Sequence, residues 1–283
     1  MIIKEIASGS AITKSKLPTA DYVVNAYTGC THKCIYCYAE YMKKFTNHSE
    51  EWGEFIDIKN FESIKIPKDI DDKYVSISSV TDPYNFCEIK YEKTKHVLEE
   101  LKEINCHIRI LTKSKNVLRD IELFKQFKSI EVGVSLNTVD DDFRKLIEPR
   151  ASSVEDRINV LRILRENNIR NYLFISPIFP YLTDYEKIIE QTRDFVDYYG
   201  FENLNIRAEQ KARVLDLIKE KFASIYSDYL NIYKNRNPIY WHFYWKKMEK
   251  EIIRYCEKNE IKHKIYFYHE KKTSKANSTQ LPT

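Results

Sequence analysis

The chain has 283 residues, of which 43% are hydrophobic and 31% charged, an ordinary composition for a globular protein with a large core. Its 46 basic and 42 acidic residues leave a formal charge of +4, which is too small to predict nucleic-acid binding by itself. No apolar run approaches the ~18 residues of a membrane span, and the first residues lack the apolar core of a signal peptide. A cytoplasmic location is therefore expected.

Short β-branched runs alternate with longer segments of helical period through the middle of the chain. Strands are predicted at Tyr22–Tyr27, Lys73–Val80, His107–Ser114, Ser129–Asn137, Asn171–Ile178 and Asn203–Ala208. Helices are predicted from about Tyr38 and over Glu92–Ile104, Asn116–Phe127, Ser153–Asn168 and Asp184–Tyr199, with Asn116 and Ser153 as N-caps and Gly200 as a stop. This alternation predicts an α/β fold, a partial, open parallel (β/α)6-type barrel with right-handed crossovers.

Segments of different character flank the predicted barrel core, residues 21–210. Residues 1–20 are expected to form an N-terminal arm, and residues 271–283 a disordered polar tail. Residues 211–270 are expected to form a helical extension, with helices over about Val214–Asn235 and Ile239–Asn259 and a short strand within His263–His269. The aromatic run Tyr240–Lys250 suits base stacking, but its helical spacing favours an amphipathic helix that packs on the barrel.

Three cysteines, Cys30, Cys34 and Cys37, follow the first predicted strand with the spacing C-x3-C-x2-C. A structural zinc ion needs a fourth tight ligand, and the candidate, His32, lies awkwardly within the same short loop. A [4Fe–4S] cluster instead takes one thiolate per iron, so three cysteines leave one iron open to a small molecule. The pattern therefore favours an iron–sulfur cluster over zinc or over three unrelated core cysteines.

The cysteine spacing, the aromatic Tyr36 before the last cysteine and the position after the first strand together resemble the signature of radical S-adenosylmethionine (SAM) enzymes. That resemblance implies a [4Fe–4S] cluster and SAM as cofactors. It also implies reductive cleavage of SAM to a deoxyadenosyl radical, which abstracts hydrogen from a substrate. The alternative is a non-catalytic iron–sulfur or zinc protein that serves electron transfer or partner binding.

Further stretches are similar to the spore photoproduct lyase-like branch of that superfamily, namely "CIYCYAEY", "SSVTDPYN", "LTKS", "VSLNT" and "EPRASSVEDRI". The opening "SAITKSKLPTADYVVNAYTGC" and the stretch "WGEFIDIK" are similar to a narrower group, the radical SAM mobile pair proteins of B type. These resemblances imply a reduced flavodoxin or ferredoxin-type electron donor and a second radical SAM protein encoded nearby. A nucleic acid lesion, a peptide and a small molecule all stay open as the substrate.

Unusual polar residues cluster at the predicted carboxyl ends of the strands, where ligands sit in parallel α/β sheets. In the superfamily, the backbone at Tyr38 would meet adenine, and the turn with Ser79, Thr81 and Asp82 would meet the amino group of the methionine moiety. A carboxylate such as Asp82 suits an ammonium group. The alternatives are a packing role for Tyr38 and a turn stabilised by Asp82 and Pro83.

Later strand ends offer further candidates. Lys113 could pair with the methionine carboxylate and Ser135 could bond the ribose, although a solvated surface lysine is the simpler interpretation of Lys113 taken alone. Glu148–Arg150 and Arg157 fit either a capping and salt-bridge role or a role near the cofactor.

Cys87, on the loop after the second strand, is a candidate hydrogen donor to the product radical. Its alternative is an ordinary buried thiol, as expected for Cys106 and Cys256 in a reducing compartment.

Overall fold

The computed structural model describes residues 1–234 and 238–268, without the side chains of residues 208, 234, 238 and 239. In these residues the strands are β1 (Ile2–Ser8), β2 (Ile12–Lys14), β3 (Tyr22–Val24), β4 (Tyr27–Gly29), β5 (Phe55–Phe61), β6 (Tyr74–Ile77), β7 (His107–Thr112), β8 (Ile130–Ser135), β9 (Asn171–Ile178), β10 (Tyr199–Asn203) and β11 (His263–Ile265). The α-helices are α1 (Glu88–Tyr91), α2 (Lys93–Leu101), α3 (Ile121–Phe124), α4 (Asp141–Ile147), α5 (Val154–Glu166), α6 (Tyr185–Thr192), α7 (Ala208–Lys221), α8 (Tyr226–Tyr229) and α9 (Pro238–Lys258).

The main sheet has eight strands in the order β11-β10-β9-β8-β7-β6-β3-β2. All neighbouring pairs are parallel except β2 with β3. The sheet does not close on itself within the described residues, because β2 and β11 form its two edges. The predicted α/β fold with a partial, open parallel barrel is therefore confirmed.

Burial explains why these segments became strands and helices. Along β7 buried and half-buried residues alternate, whereas β8 and β9 are buried almost throughout, as expected for central strands covered on both faces. Helix α5 begins as predicted, with the Ser153 hydroxyl accepting the main-chain N–H of Asp156 at 3.1 Å. The predicted cap at Asn116 is wrong, because Ser114 caps that segment by accepting the N–H of Asn116.

A second, three-stranded sheet in the order β1-β5-β4 was not predicted. The predicted first strand, Tyr22–Tyr27, divides at Asn25: β3 joins the main sheet and β4 joins the small one. The small sheet also takes β1 from residues 1–20, which were expected to form only an arm, and β5 from the "WGEFIDIK" stretch. The chain therefore enters the cysteine loop from the small sheet.

The sixth barrel strand lies earlier than predicted, at Tyr199–Asn203 instead of Asn203–Ala208. Helix α6 already ends at Thr192, and Gly200 is part of the strand. A Cβ atom at Gly200 would meet the ring of Phe174 at 2.5 Å, so the glycine serves close packing between β10 and β9 and does not stop a helix.

The C-terminal extension is helical as predicted, and it also adds β11 to the edge of the main sheet. Trp245 on α9 is fully buried, and Trp241, Tyr244 and Met248 pack against the main core. The packing interpretation of the aromatic run is therefore confirmed. None of the helices in the described part of the chain is long and apolar enough to cross a membrane. The predicted tail, residues 271–283, lies outside the described residues.

Gly133→Ala should lower the free energy of unfolding by about 1–3 kcal/mol, because a methyl group there would overlap the ring of Tyr172 on the neighbouring strand. Denaturant unfolding of the metal-free protein measures this change. Gly9→Ala is the control, since a Cβ at Gly9 meets nothing within 4 Å. Equal stability of the two variants would contradict the packing described here.

Candidate active site

The cysteine loop runs from β4 to a 3-10 helix at Tyr38–Phe45. It is held from the barrel side by main-chain hydrogen bonds: the N–H of Ile35 donates to the carbonyl of Ile147, and the N–H of Arg150 donates to the carbonyl of His32. Within the loop Lys33 adopts a left-handed conformation, with φ of 55°. The loop thus has a defined conformation and is hydrogen-bonded to the end of helix α4 and the residues just after it.

The thiols of Cys30, Cys34 and Cys37 are free and electrostatically coupled to one another. Burial raises the pKa of Cys30 to about 12, and the neighbouring Cys37 and Asp82 add to the effect. Burial also raises the pKa values of Cys34 and Cys37. In the described residues, no three His, Cys, Asp or Glu side chains converge as the ligands of a single ion would. The thiolates of a four-iron cluster bind separate irons, so this donor set fits such a cluster.

The turn after β6 packs against the cysteine loop. Asn25 accepts the main-chain N–H of Ser79 at 3.0 Å, and the exposed Tyr38 donates its hydroxyl to the carbonyl of Ser79. The hydroxyl of Thr81 is buried and has no hydrogen-bond partner among the described residues. Buried hydroxyls are normally partnered, so Thr81 has spare capacity for a ligand.

Asp82 is the most heavily bonded residue of this turn. Its carboxylate accepts hydrogen bonds from the main-chain N–H of Tyr84 at 2.9 Å and from the hydroxyl of Thr112 at 2.6 Å. It also accepts the main-chain N–H of Lys113 at 2.7 Å and lies 3.5 Å from Nδ1 of His32. The carboxylate therefore joins the turn to the end of β7 and to the cysteine loop.

His32, the zinc ligand considered above, is buried beside Asp82. Burial lowers the pKa of His32 and outweighs the opposing effect of Asp82, so its imidazole is neutral.

The ammonium group of Lys113 has no hydrogen bond or salt bridge to any described residue, and it lies 5.9 Å from the centre of the Tyr36 ring. Burial favours its neutral form, but the charge of the Glu148 carboxylate opposes burial, and the pKa of Lys113 is raised. Beside the cysteine loop, Lys113 is thus a charged donor with no hydrogen-bond acceptor among the described residues.

Glu148 and Arg157 form a fully buried ion pair, with Nη2 and Oε2 2.5 Å apart, although these two atoms lack hydrogen-bond geometry. The hydroxyl of Tyr36 donates to Glu148, and Arg157 donates to the carbonyl of Ser135 at 2.9 Å. Burial acts to raise the pKa of Glu148, but Arg157 and Lys113 outweigh it and lower that pKa. The salt-bridge interpretation of these residues therefore holds, and the contact with Tyr36 brings them to the cysteine loop. Their role near a cofactor stays a prediction.

Ser135 at the end of β8 is buried and donates its hydroxyl to the carbonyl of Ser176 at 3.1 Å. The hydroxyl of Ser176 in turn donates to Glu202 on β10 at 2.5 Å. Burial raises the pKa of Glu202, while Ser176 and Lys113 oppose the shift, and the Glu202 charge also acts on Tyr38. Glu202 is therefore a further candidate for this site. The sequence did not indicate it, because the sixth strand was predicted to begin after it.

Cys87 lies in a different environment from the other candidates. Its thiol is buried in an apolar cluster with Ala26, Tyr27, Ile56 and Ile58, between helix α1 and the small sheet. Such surroundings are typical of a cysteine that packs like a small hydrophobe. The placement favours the structural alternative, and the role as hydrogen donor stays a prediction.

Helix α7 packs over the cysteine loop, a contact that could not be predicted from the sequence. Gln210 donates to the carbonyl of Cys37 at 2.9 Å, and Arg213 donates to the carbonyl of Ile35 at 3.2 Å. Arg213 also pairs with Glu40 at 2.5 Å. The C-terminal extension thus helps to fix the loop that carries the cysteines.

The parallel half-barrel and the three-cysteine loop at its strand ends define a radical SAM enzyme. Residues 24–196 match the model of the radical SAM superfamily, and the chain belongs to that superfamily. It is 36% identical to the uncharacterized protein MJ0683 of Methanocaldococcus jannaschii, over 92% of this chain and 95% of that protein. It is 29% identical to the uncharacterized protein ORF301 of Acidianus two-tailed virus, over 71% of this chain and 72% of that protein.

Solved structures share the fold at low sequence identity. Spore photoproduct lyase complexed with dinucleoside spore photoproduct superposes with a TM-score of 0.65 at 15% identity, over 91% of this chain and 79% of that chain. SuiB of Streptococcus suis bound to S-adenosylmethionine superposes with a TM-score of 0.52 at 17% identity, over 87% of this chain and 49% of that chain.

Arg157→Met should lower the free energy of unfolding by about 3–5 kcal/mol near neutral pH, because it leaves Glu148 buried without its ion-pair partner. In the wild type the pKa of Glu148 is lowered, so its stabilising effect is present above the unfolded-state pKa and is lost on acidification. In the variant, burial should raise that pKa, so stability should instead increase as the pH falls toward about 5.

Denaturant unfolding of the metal-free protein at several pH values measures this reversal. The control is Arg165→Met, which removes an exposed ion pair with Asp197 and should cost about 0–1 kcal/mol. The same small loss in both variants, or no reversal of the pH dependence, would argue against the buried pair.

Proposed function

We propose that Cys30, Cys34 and Cys37 hold a [4Fe–4S] cluster whose fourth iron binds S-adenosylmethionine. When bound, the cluster would supply an electron and S-adenosylmethionine would supply a deoxyadenosyl radical, which abstracts a hydrogen atom from the substrate. The observation that carries this proposal is a set of three electrostatically interacting thiols in one loop. Beside them lie the Lys113 ammonium group and the buried Thr81 hydroxyl, which lack hydrogen-bond partners among the described residues. Solved relatives support the cofactor, since one spore photoproduct lyase structure has bound AdoMet and SuiB is bound to S-adenosylmethionine.

Each side chain has a role that follows from its contacts. Lys113 would bind the methionine carboxylate, because its ammonium group has no hydrogen bond or salt bridge to a described residue. Thr81 would accept or donate a hydrogen bond to the methionine moiety with its unpartnered hydroxyl, and Ser79 stands in the same turn. Asp82 would act at the amino group of that moiety while its other contacts hold the turn in place.

The aromatic residues and Ser135 would bind the nucleoside part. Tyr36 is fixed by Glu148 and by an edge contact with Phe179 at 5.6 Å between ring centres. Tyr38 is anchored to the turn after β6, so its backbone and ring border both parts of the cofactor site. Ser135 keeps its lone pairs for the ribose while its proton goes to Ser176.

We also propose the partners that the sequence resemblances imply. A reduced flavodoxin or ferredoxin-type protein would supply the electron, and a second radical SAM protein would work beside this one in the cytoplasm. The likeness to spore photoproduct lyase in complex with a dinucleoside makes a nucleic acid lesion the first substrate class to test, with peptides and small molecules as the others.

Anaerobic reconstitution should give about four irons and four sulfides per chain, and the Cys30→Ala, Cys34→Ala, Cys37→Ala triple variant should hold none. With a reductant, the wild type should cleave SAM to deoxyadenosine and the triple variant should not. Cys106→Ala, which changes a buried core cysteine, should retain both properties. Iron in the triple variant, zinc alone in the wild type, or a reduced cluster that leaves SAM intact would each contradict the proposal.

Lys113→Met should weaken SAM binding about ten- to a hundredfold and leave iron content unchanged, because it removes one charge-assisted contact of roughly 1.5–3 kcal/mol. Equilibrium binding to the reconstituted protein measures the affinity. Lys115→Met is the matched control, since Lys115 is an exposed lysine that pairs with Asp156. Unchanged affinity in the Lys113 variant, or an equal loss in the control, would place the carboxylate site elsewhere.

A further inference from the structure

The turn that carries Trp52 is fastened directly to the cysteine loop. Gly53 adopts a φ of 96°, and a Cβ atom there would meet Lys33 of the loop at 2.7 Å. Glu54 pairs with Lys33 and also with Arg150, at 2.8 Å. Only a glycine at position 53 allows the two segments to approach so closely. Gly53 and Glu54 therefore hold Trp52 against the cysteine loop.

The indole of Trp52 is buried, with 6% of its surface exposed, and it contacts Phe55 edge-on at 5.6 Å between ring centres. It belongs to an apolar cluster that includes Cys30, with Cys37 packed against it. Its Nε1 is buried without a hydrogen-bond partner of good geometry in the described part of the chain. A buried N–H of this kind normally has an acceptor, and Cys37, which packs against the same apolar cluster, has a sulfur that can accept a hydrogen bond.

We propose that the Trp52 indole N–H donates a hydrogen bond to the Cys37 sulfur of the bound cluster and thereby raises the reduction potential of that cluster. This inference rests on the proposed function, because it requires the cluster. Trp52 is a positioning residue in this role, since it acts on the cluster through one of its ligands.

The physical reason is the charge that the cluster gains on reduction. An added electron is shared with the thiolate sulfurs, and a hydrogen-bond donor aimed at one of them stabilises the reduced form. The effect is strong at a buried site, where little water screens the dipole.

The other two tryptophans provide a comparison within the same chain. Trp241 and Trp245 also have buried Nε1 atoms without a partner in the described residues, but they lie on α9 in the main core, apart from the apolar side-chain cluster that contains Cys30. An effect on the iron–sulfur cluster that is specific to Trp52 therefore cannot come from burying an indole alone.

Trp52→Phe keeps an aromatic ring and removes the N–H. In the SAM-free, anaerobically reconstituted protein, the reduced-to-oxidised ratio of the cluster at a fixed potential should fall roughly tenfold, which is about 59 mV more negative for a one-electron couple. An EPR-monitored redox titration measures the shift, and Trp241→Phe should not produce it. A cluster that assembles in Trp52→Phe with an unchanged potential would overturn the inference and leave the proposed function standing, whereas a wild type that assembles no cluster would overturn both.

A second measurement needs only the wild-type sequence, in case Trp52→Phe does not fold. Protein labelled with 15N in the tryptophan indoles should show a nitrogen hyperfine coupling to the reduced cluster in pulsed EPR. The coupling should persist in Trp241→Phe. Its absence from the reduced wild-type cluster would overturn the proposed hydrogen bond.

Discussion

The buried ion pair between Glu148 and Arg157 is the contact on which the site depends most. Two charges removed from water are costly unless further partners compensate them. Glu148 therefore accepts the hydroxyl of Tyr36, and Arg157 binds the carbonyls of Ser135 and Ser152. These partners belong to the cysteine loop, the end of β8 and the segment before α5. Removing either charge would leave three parts of the site without their common support.

The charges around the cysteines also bear on how the proposed iron–sulfur cluster would bind to them. Burial holds the three thiols in their protonated form, so ligation must release protons as the metal binds. The ammonium of Lys113 acts against this by favouring negative charge on Cys34 and Cys37. Glu148 acts in the opposite direction on Cys34, so Arg157 is needed to neutralise it. Thiolates in this loop would therefore be favoured by the charge of Lys113 and by the metal that they bind.

The sequence alone predicted the parallel half-barrel and the cysteine loop, because both depend on local spacing. Five of the six predicted barrel strands overlap the observed ones substantially, and only the sixth was displaced. That error arose because a glycine such as Gly200 can either end a helix or allow close packing within a sheet. Only the tertiary contact with Phe174 shows that Gly200 serves close packing. Glu202 was lost with the strand that carries it.

Other features had no local signal at all. The partners of Asp82 come from residues 32, 84, 112 and 113, and only folding brings them together. The small sheet pairs the N-terminus with the segment after the cysteines, and β-strand pairing of this kind is not encoded in one stretch of sequence. Among the described residues, Asp82 has several hydrogen-bond partners and the Lys113 ammonium has none, a contrast that could not be predicted from their similar positions at strand ends.

The contact between helix α7 and the cysteine loop bears on the order of events during synthesis. Gln210 and Cys37 are 173 positions apart, and so are Arg213 and Glu40. A ribosome that has made the cysteines must therefore add most of the remaining barrel before the loop receives these last contacts. Pairing over such sequence distances forms late because the intervening chain must first be ordered. During synthesis, the loop would therefore lack its contacts with α7, and would stay accessible to a metal, until that helix has been made.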